Sequence, residues 1–193
     1  MGGVTAQRTR QVCIPKELMP SSPKPCFLPD TAQAAGFETH IVDRPGVLSS
    51  GIATTGPLAR SLFLFGHTEE QILIAKVKGK GLVVFTGCGH PTIEVILKMV
   101  RQLSHEPIFA IGGGLHFPIS DGRGNRAGIR FQTMIGTGTP PWQQITDTDL
   151  DRTIAAINNT APKQVFLSGH DTCDHALDRM KKELTAETCT FGL

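Results

Sequence analysis

Three stretches of this chain constrain its fold most: "LVVFTGCGH" ending at His90, "IFAIGGGLH" ending at His116, and "VFLSGH" ending at His170. Each is a short apolar run rich in strand formers, and each breaks on glycine just before its histidine. The segments between them carry helical patterning. Ile93, Ile96, Leu97, Val100 and Leu103 make an apolar stripe at three-and-four spacing, behind a Pro91 that a first helical turn tolerates. Thr146 and Asp149 have the spacing of a capping box, opening a helix through Leu150, Ile154 and Ile157 that Pro162 ends. "QVFLS" reads as the last strand, followed by a terminal helix with Ala176, Leu177, Met180 and Leu184 inward. Strand, helix, strand, helix, strand, helix predicts an α/β layer arrangement with at least part of its sheet parallel.

Upstream the pattern is strand-rich. "QILIAKV" and "LVVFT" flank a "KGKG" turn and read as a hairpin, and "FETHIVD" alternates as a further strand. "LSSGIATTGPLAR" reads as a loop and a short strand closed by a Gly-Pro turn. Residues 31–35 suit a short helix closed by Gly36. Before them, Pro15, Pro20, Pro23, Pro25 and Pro29 remove amide donors and restrict their neighbours. The expected organisation is therefore an irregular Pro-rich segment over residues 1–30 and one domain over 31–193. Residues 118–141 form a long Gly-rich excursion, and a loop of that length in a compact domain is usually functional or floppy.

Composition narrows the function classes. At 193 residues the chain fits one domain or a large part of a bigger one. A net charge of +2 gives no electrostatic case for nucleic acid or an anionic membrane, and no apolar run is long enough to span a bilayer. The N-terminus lacks the apolar core of a signal peptide, and Ala6 breaks the myristoylation pattern. The five cysteines, Cys13, Cys26, Cys88, Cys173 and Cys189, include no C-x-x-C pair, which argues against a disulfide framework and for a reducing, cytoplasmic setting.

The chemistry collects at the three strand ends. Ligands of open α/β sheets bind outside the carboxyl ends of strands, so parallel neighbours would bring His90, His116 and His170 to one edge with Cys88. Glycines there let the chain turn sharply and let a ligand approach. Imidazole and thiolate suit zinc and similar borderline metals, with Asp171 and Asp174 beside His170 as further ligand or supporting partner. A single histidine at a strand end is ordinarily a satisfied polar residue. Three at equivalent strand ends point to a site. His40, His67, His105, His175, Cys13, Cys26 and Cys189 have no such context, and Cys173 reads most simply as a small buried helix residue. Trp142 fits a loop anchor or a pocket wall equally. The glycines of "DGRGNRAG" follow no strand and open no helix, so they make a weak phosphate cradle.

At these residues the chain resembles the metallo-β-lactamase superfamily, in its C-terminal half. Among its branches it is similar to the dihydropterin-aminobenzene-phosphate synthase-like proteins of methanopterin-type metabolism. That branch carries T-G-C-S-H-x-G-I, I-G-G-F-H-L and a final H-C-T-G; this chain has "TGCGHPTI", "IGGGLHF" and "SGHDTC", with Asp171 where the branch has Cys. "GIATTGPLAR" and "EEQILIAKVKGKGLVV" also resemble branch segments, so the likeness covers residues 37–184. The resemblance implies an αββα sandwich, of which this chain would supply the C-terminal half, a sheet with flanking helices. It implies His90 and His170 as metal ligands and Cys88 at a position where relatives place a carboxylate or thiolate ligand. His116 would line the pocket as a proton donor or substrate contact. The implied cofactor is zinc or another divalent metal such as manganese, and the implied substrate a small, phosphorylated or pterin-like molecule. The superfamily hallmark H-x-H-x-D-H is missing, since no two histidines lie two residues apart. The resemblance therefore implies either a partial, N-terminally shortened chain or a member that has lost metal catalysis, inactive alone. Room for one metal rather than two would remain, and a homo-oligomer or partner chain would complete the fold. Arg123, Arg126 and Arg130 could contact an anionic group, although solvated arginines are the default.

Overall fold

The computed structural model describes residues 10–15, 37–63, 66–120, 137–140, 142–170 and 172–192. The chain divides into two compact units, Met1–Arg44 and Pro45–Leu193. In the first unit, β1 (Arg10–Pro15) pairs in parallel with β2 (Phe37–Val42), Arg10 opposite Phe37 and Pro15 opposite Val42. The expected boundary at residue 30, the helix over 31–35 and most of the Pro-rich segment lie outside the described residues.

Among the described residues, the second unit is one seven-stranded sheet with three helices. Its strands are β3 (Gly46–Ser49), β4 (Ile52–Leu62), β5 (Gly66–Val77), β6 (Gly81–Phe85), β7 (Ile108–Gly113), β8 (Gln164–Ser168) and β9 (Glu187–Phe191), lying side by side in chain order. β3 to β6 run antiparallel, and β6 to β9 run parallel. Parallel neighbours need a crossover, and here α1 (Ile93–Leu103), α2 (Asp147–Thr160) and α3 (Asp174–Glu183) supply one each. Each crossover steps one strand in the same direction, so the right-handed rule puts all three helices on one face.

Side-chain burial agrees with that layering. Ile72, Ile74, Leu82, Val84, Ile111, Val165 and Leu167 point from alternate strand positions into one core with Ile96, Val100, Leu150, Ile157 and Met180 of the helices. The intervening positions face the other way, and there Phe85 and Phe191 remain 45% and 48% exposed. The expected stripe of α1 is buried except Leu103, which ends the helix and stays exposed. The capping arrangement forms as the spacing predicts: the Asp149 carboxylate accepts the Thr146 amide at 2.8 Å and its hydroxyl at 3.0 Å.

Two expectations are corrected. "QVFLS" is not the last strand, because "ETCTF" adds β9 as a short edge with alternating exposure. "IATTGPLAR" is not a loop with a terminal turn but lies inside the eleven-residue β4. The register slips between Thr54 and Pro57, where Gly56 takes φ 67°, and such a bulge accommodates a residue that cannot donate to the ladder.

The ends of β6 and β7 are fastened together beyond the regular ladder. The Thr86 amide donates to the Gly112 carbonyl at 2.8 Å, the Thr86 hydroxyl to the Gly114 carbonyl at 2.8 Å, and the Gly114 amide to the Gly87 carbonyl at 2.9 Å. Gly113, at φ 127°, would drive a side chain into the Thr86 carbonyl and hydroxyl oxygens. Strained backbone and steric overlap together should make Gly113→Ala less stable by about 2–4 kcal/mol. Urea unfolding at neutral pH measures this, and a midpoint equal to that of the wild type would contradict it.

Candidate metal centre

The apolar run of β6 keeps its residues in the sheet as far as Phe85, and the glycines on either side of Cys88 then turn the chain outward. Gly89 sits at φ 86°, close enough to the Gly114 carbonyl that a Cβ would collide with it. The tip therefore exists only because its neighbours are glycines. Pro91 and Thr92 lead from it into α1, and Thr92 itself takes φ 73°.

Glu70 of β5 holds the tip. The β5–β6 register pairs Leu73 with Phe85, and three residues further along each strand Glu70 comes level with Cys88. Glu70 Oε2 accepts the Gly89 amide at 3.0 Å, while Oε1 accepts the His90 amide at 3.1 Å and lies 2.5 Å from His90 Nδ1. Arg60 of β4 completes the grip by donating from Nη1 to the His90 carbonyl at 2.8 Å. Burial alone would push the Glu70 carboxyl up. The His90 ring and the Gly89 and His90 amides outweigh it and hold the group below its ordinary 4.5. Burial lowers the Arg60 guanidinium from its ordinary value, against the opposing pull of Glu94 and Asp149.

The strand-end residues singled out in the sequence converge in part. Cys88 Sγ lies 3.3 Å from His170 Nε2, across 82 positions of sequence. The His90 and His116 rings pack with centroids 4.6 Å apart at 46°. His116 is buried and sits at φ 55°. Among the described residues, ligand-type atoms of Glu70, Cys88 and His90 lie within 4.8 Å of one another. His170 is outside that group of three and meets it through Cys88. Ser168 orients it by accepting the His170 amide on Oγ at 3.1 Å. Thiolate and imidazole are the donors zinc prefers, so the side chains present are chemically fitted to such an ion.

Other candidates are not drawn in. His175 pairs with Asp147 at 2.7 Å on the helix surface, and His67 with Glu69 at 2.8 Å. Cys173 is buried at the N-cap of α3. Trp142 is 76% exposed and sets its edge on Phe63, which makes it a loop contact and not a pocket wall. Arg123, Arg126, Arg130 and Asp171 lie outside the described residues. Glu70 and Arg60 were missed in the sequence. Counting back from the "KGKG" turn through the hairpin register would have put Glu70 beside Cys88.

Two cavities adjoin the tip. One of about 360 Å³ is lined by Arg60, Glu94, His116, Phe117, Asp149 and Arg152. Several of its polar groups bond to each other: Glu94 accepts the Thr153 hydroxyl at 2.5 Å, and Arg152 donates to Asp149 at 2.9 Å. The other is an apolar trough on the sheet face opposite the three described helices, walled by Phe85, Phe109, Phe166 and Phe191 and reaching His170. Among the described residues, no helix is long and apolar enough to cross a membrane.

No protein-family profile matches the chain, and no curated protein matches it. Among solved structures it is similar to the crystal structure of Tm1679, titled a metal-dependent hydrolase of the β-lactamase superfamily. The TM-score is 0.66 at 19% sequence identity, over 95% of this chain and 68% of that one. At that identity the likeness is one of fold. The chain has a mixed α/β fold with a large central sheet and flanking helices, matching a metallo-β-lactamase-like structure.

The depressed Glu70 carboxyl ties stability to pH. Its contribution is complete above its ordinary 4.5 and is lost as pH falls through the lower native value. The stability advantage of wild type over Glu70→Gln should thus be largest near neutrality and shrink in acid. Urea unfolding from about pH 7 to about pH 3 measures it. A constant difference across that range would contradict it.

Proposed function

We propose that this chain is a metal-dependent hydrolase or synthase of the metallo-β-lactamase type, holding one divalent ion at Cys88, His90 and His170 and acting on a small molecule. One observation carries the reading: Cys88 Sγ and His170 Nε2 are 3.3 Å apart, past the ends of β6 and β8 on either side of β7. A sulfur and a nitrogen bound to one tetrahedral ion at ordinary bond lengths are about 3.6 Å apart, so this pair is nearly spaced as two ligands of one centre. His90 is fixed beside Cys88 by Glu70 and Arg60. The thiolate favours zinc over manganese.

When bound, the ion supplies Lewis acidity and eases deprotonation of water. The chain does the rest. Its strand ends hold the donors in place, and the buried Leu115, His116 and Phe117 form one wall of the 360 Å³ cavity beside them. His116 lines that cavity against His90, where it can give a proton to a leaving oxygen. Arg60, Glu94, Asp149 and Arg152 also line it, polar groups of both signs that can orient a small polar substrate through hydrogen bonds. The branch resemblance further suggests a phosphorylated or pterin-like substrate.

A second reading is a binding module or half-domain completed by a partner chain or a second copy. The exposed Phe85 and Phe191 on the sheet face opposite the three described helices favour it, because apolar patches of that kind mark contact surfaces.

Metal analysis after equilibrium dialysis tests the first reading. Wild type should retain one zinc per chain, and Cys88→Ser and His170→Ala should each weaken binding at least about 100-fold. Phosphoester turnover should vanish with a chelator and return with zinc. Wild type without stoichiometric metal would contradict the proposal, as would binding unchanged in both variants.

A further inference from the structure

The geometry points to Glu70 as a positioning residue for the centre and not one of its ligands: a carboxylate that fixes the tautomer and orientation of His90. In its choice of ligands this rests on the proposed metal site. Glu70, Cys88 and His90 share a neighbourhood small enough for an ion, so three ligands would be the simplest assignment. The contact between Glu70 and His90 argues otherwise. Oxygen and nitrogen ligands about 2.0–2.1 Å from a tetrahedral ion stand about 3.3 Å apart. Glu70 Oε1 and His90 Nδ1 are 2.5 Å apart, a separation that accommodates a shared proton between them and no ion.

The remaining capacity of the carboxylate is also committed. Oε1 takes the His90 amide as well as the ring, and Oε2 takes the Gly89 amide, so both oxygens face the tip backbone. The Glu70 side chain is only 13% exposed, and Gly87 packs beside it so closely that a Cβ there would stand 3.3 Å from Oε2. A rotation that freed an oxygen for an ion would leave the Gly89 and His90 amides without this acceptor. With Nδ1 donating to Glu70, the lone pair of the neutral His90 ring sits on Nε2. Arg60 pins the carbonyl of the same residue from the other side. Ring, amide and carbonyl of His90 are thus each held by a side chain from β4 or β5, before any ion arrives.

Nitrogen NMR of the histidine rings in metal-free wild-type protein reads this directly. The neutral His90 ring should carry its proton on Nδ1, with a strongly downfield proton resonance that Glu70→Gln shifts or removes. A neutral ring protonated on Nε2 would overturn the inference, as would a His90 signal indifferent to Glu70→Gln. Titration with cobalt supplies the second arm. Glu70→Gln should keep one ion per chain, the thiolate charge-transfer band and the tetrahedral visible bands, while binding weakens about 10- to 100-fold. A changed coordination number in that variant would make Glu70 a ligand and overturn it. Should wild type bind no cobalt or zinc, the proposed metal site fails. The NMR result then decides the positioning of His90 by itself.

Discussion

Everything in the candidate site depends on the seam between β6 and β7. Two parallel strands end side by side, and past their last ladder bonds Thr86 and three glycines continue the fastening. Parallel pairing brings consecutive strand ends to one edge of the sheet, and right-handed crossovers clear the helices to one face. The glycines then permit an approach so close that no other residue fits at Gly89 or Gly113. Chemistry at the Cys88–His90 tip is a consequence of that packing. The tip could not extend over Gly114 with bulkier neighbours, and the His90 and His116 rings could not meet.

The parts of this fold governed by local physics were legible in the sequence. Period-3.6 stripes located α1 and α3, and the Thr146–Asp149 pair located the start of α2, because helix burial and capping act over three or four residues. The strand-glycine-histidine repeats identified the parallel sheet edge. Misreadings came where distant partners decide. "ETCTF" carries little apolar signal and becomes a strand only by pairing beside β8. "TTGP" has turn composition, yet long strands on both sides absorb it as a bulge.

Candidate site residues divide along the same line. Cys88 with His90, His116, and His170 stand out because they follow three successive strand ends. Glu70 sits mid-strand among ordinary charged residues, and its relation to His90 runs through an antiparallel register. Arg60 is further removed, two strands away from the tip. What fixes a reactive side chain is less visible in sequence than the side chain itself, since the fixing partners are chosen by sheet geometry.

Two short distances organise the chemistry: 3.3 Å between Cys88 and His170, and 2.5 Å between Glu70 and His90. The first is close to a ligand–ligand edge and the second is a hydrogen bond, so they assign opposite roles to neighbouring groups. The proposed centre has Cys88, His90 and His170 holding one ion together. X-ray absorption at the zinc edge of the zinc-loaded protein tests it most directly. The account predicts one sulfur at about 2.3 Å and nitrogens at about 2.0–2.1 Å, with the sulfur lost in Cys88→Ser. A shell of oxygen and nitrogen alone in the wild-type protein would contradict it.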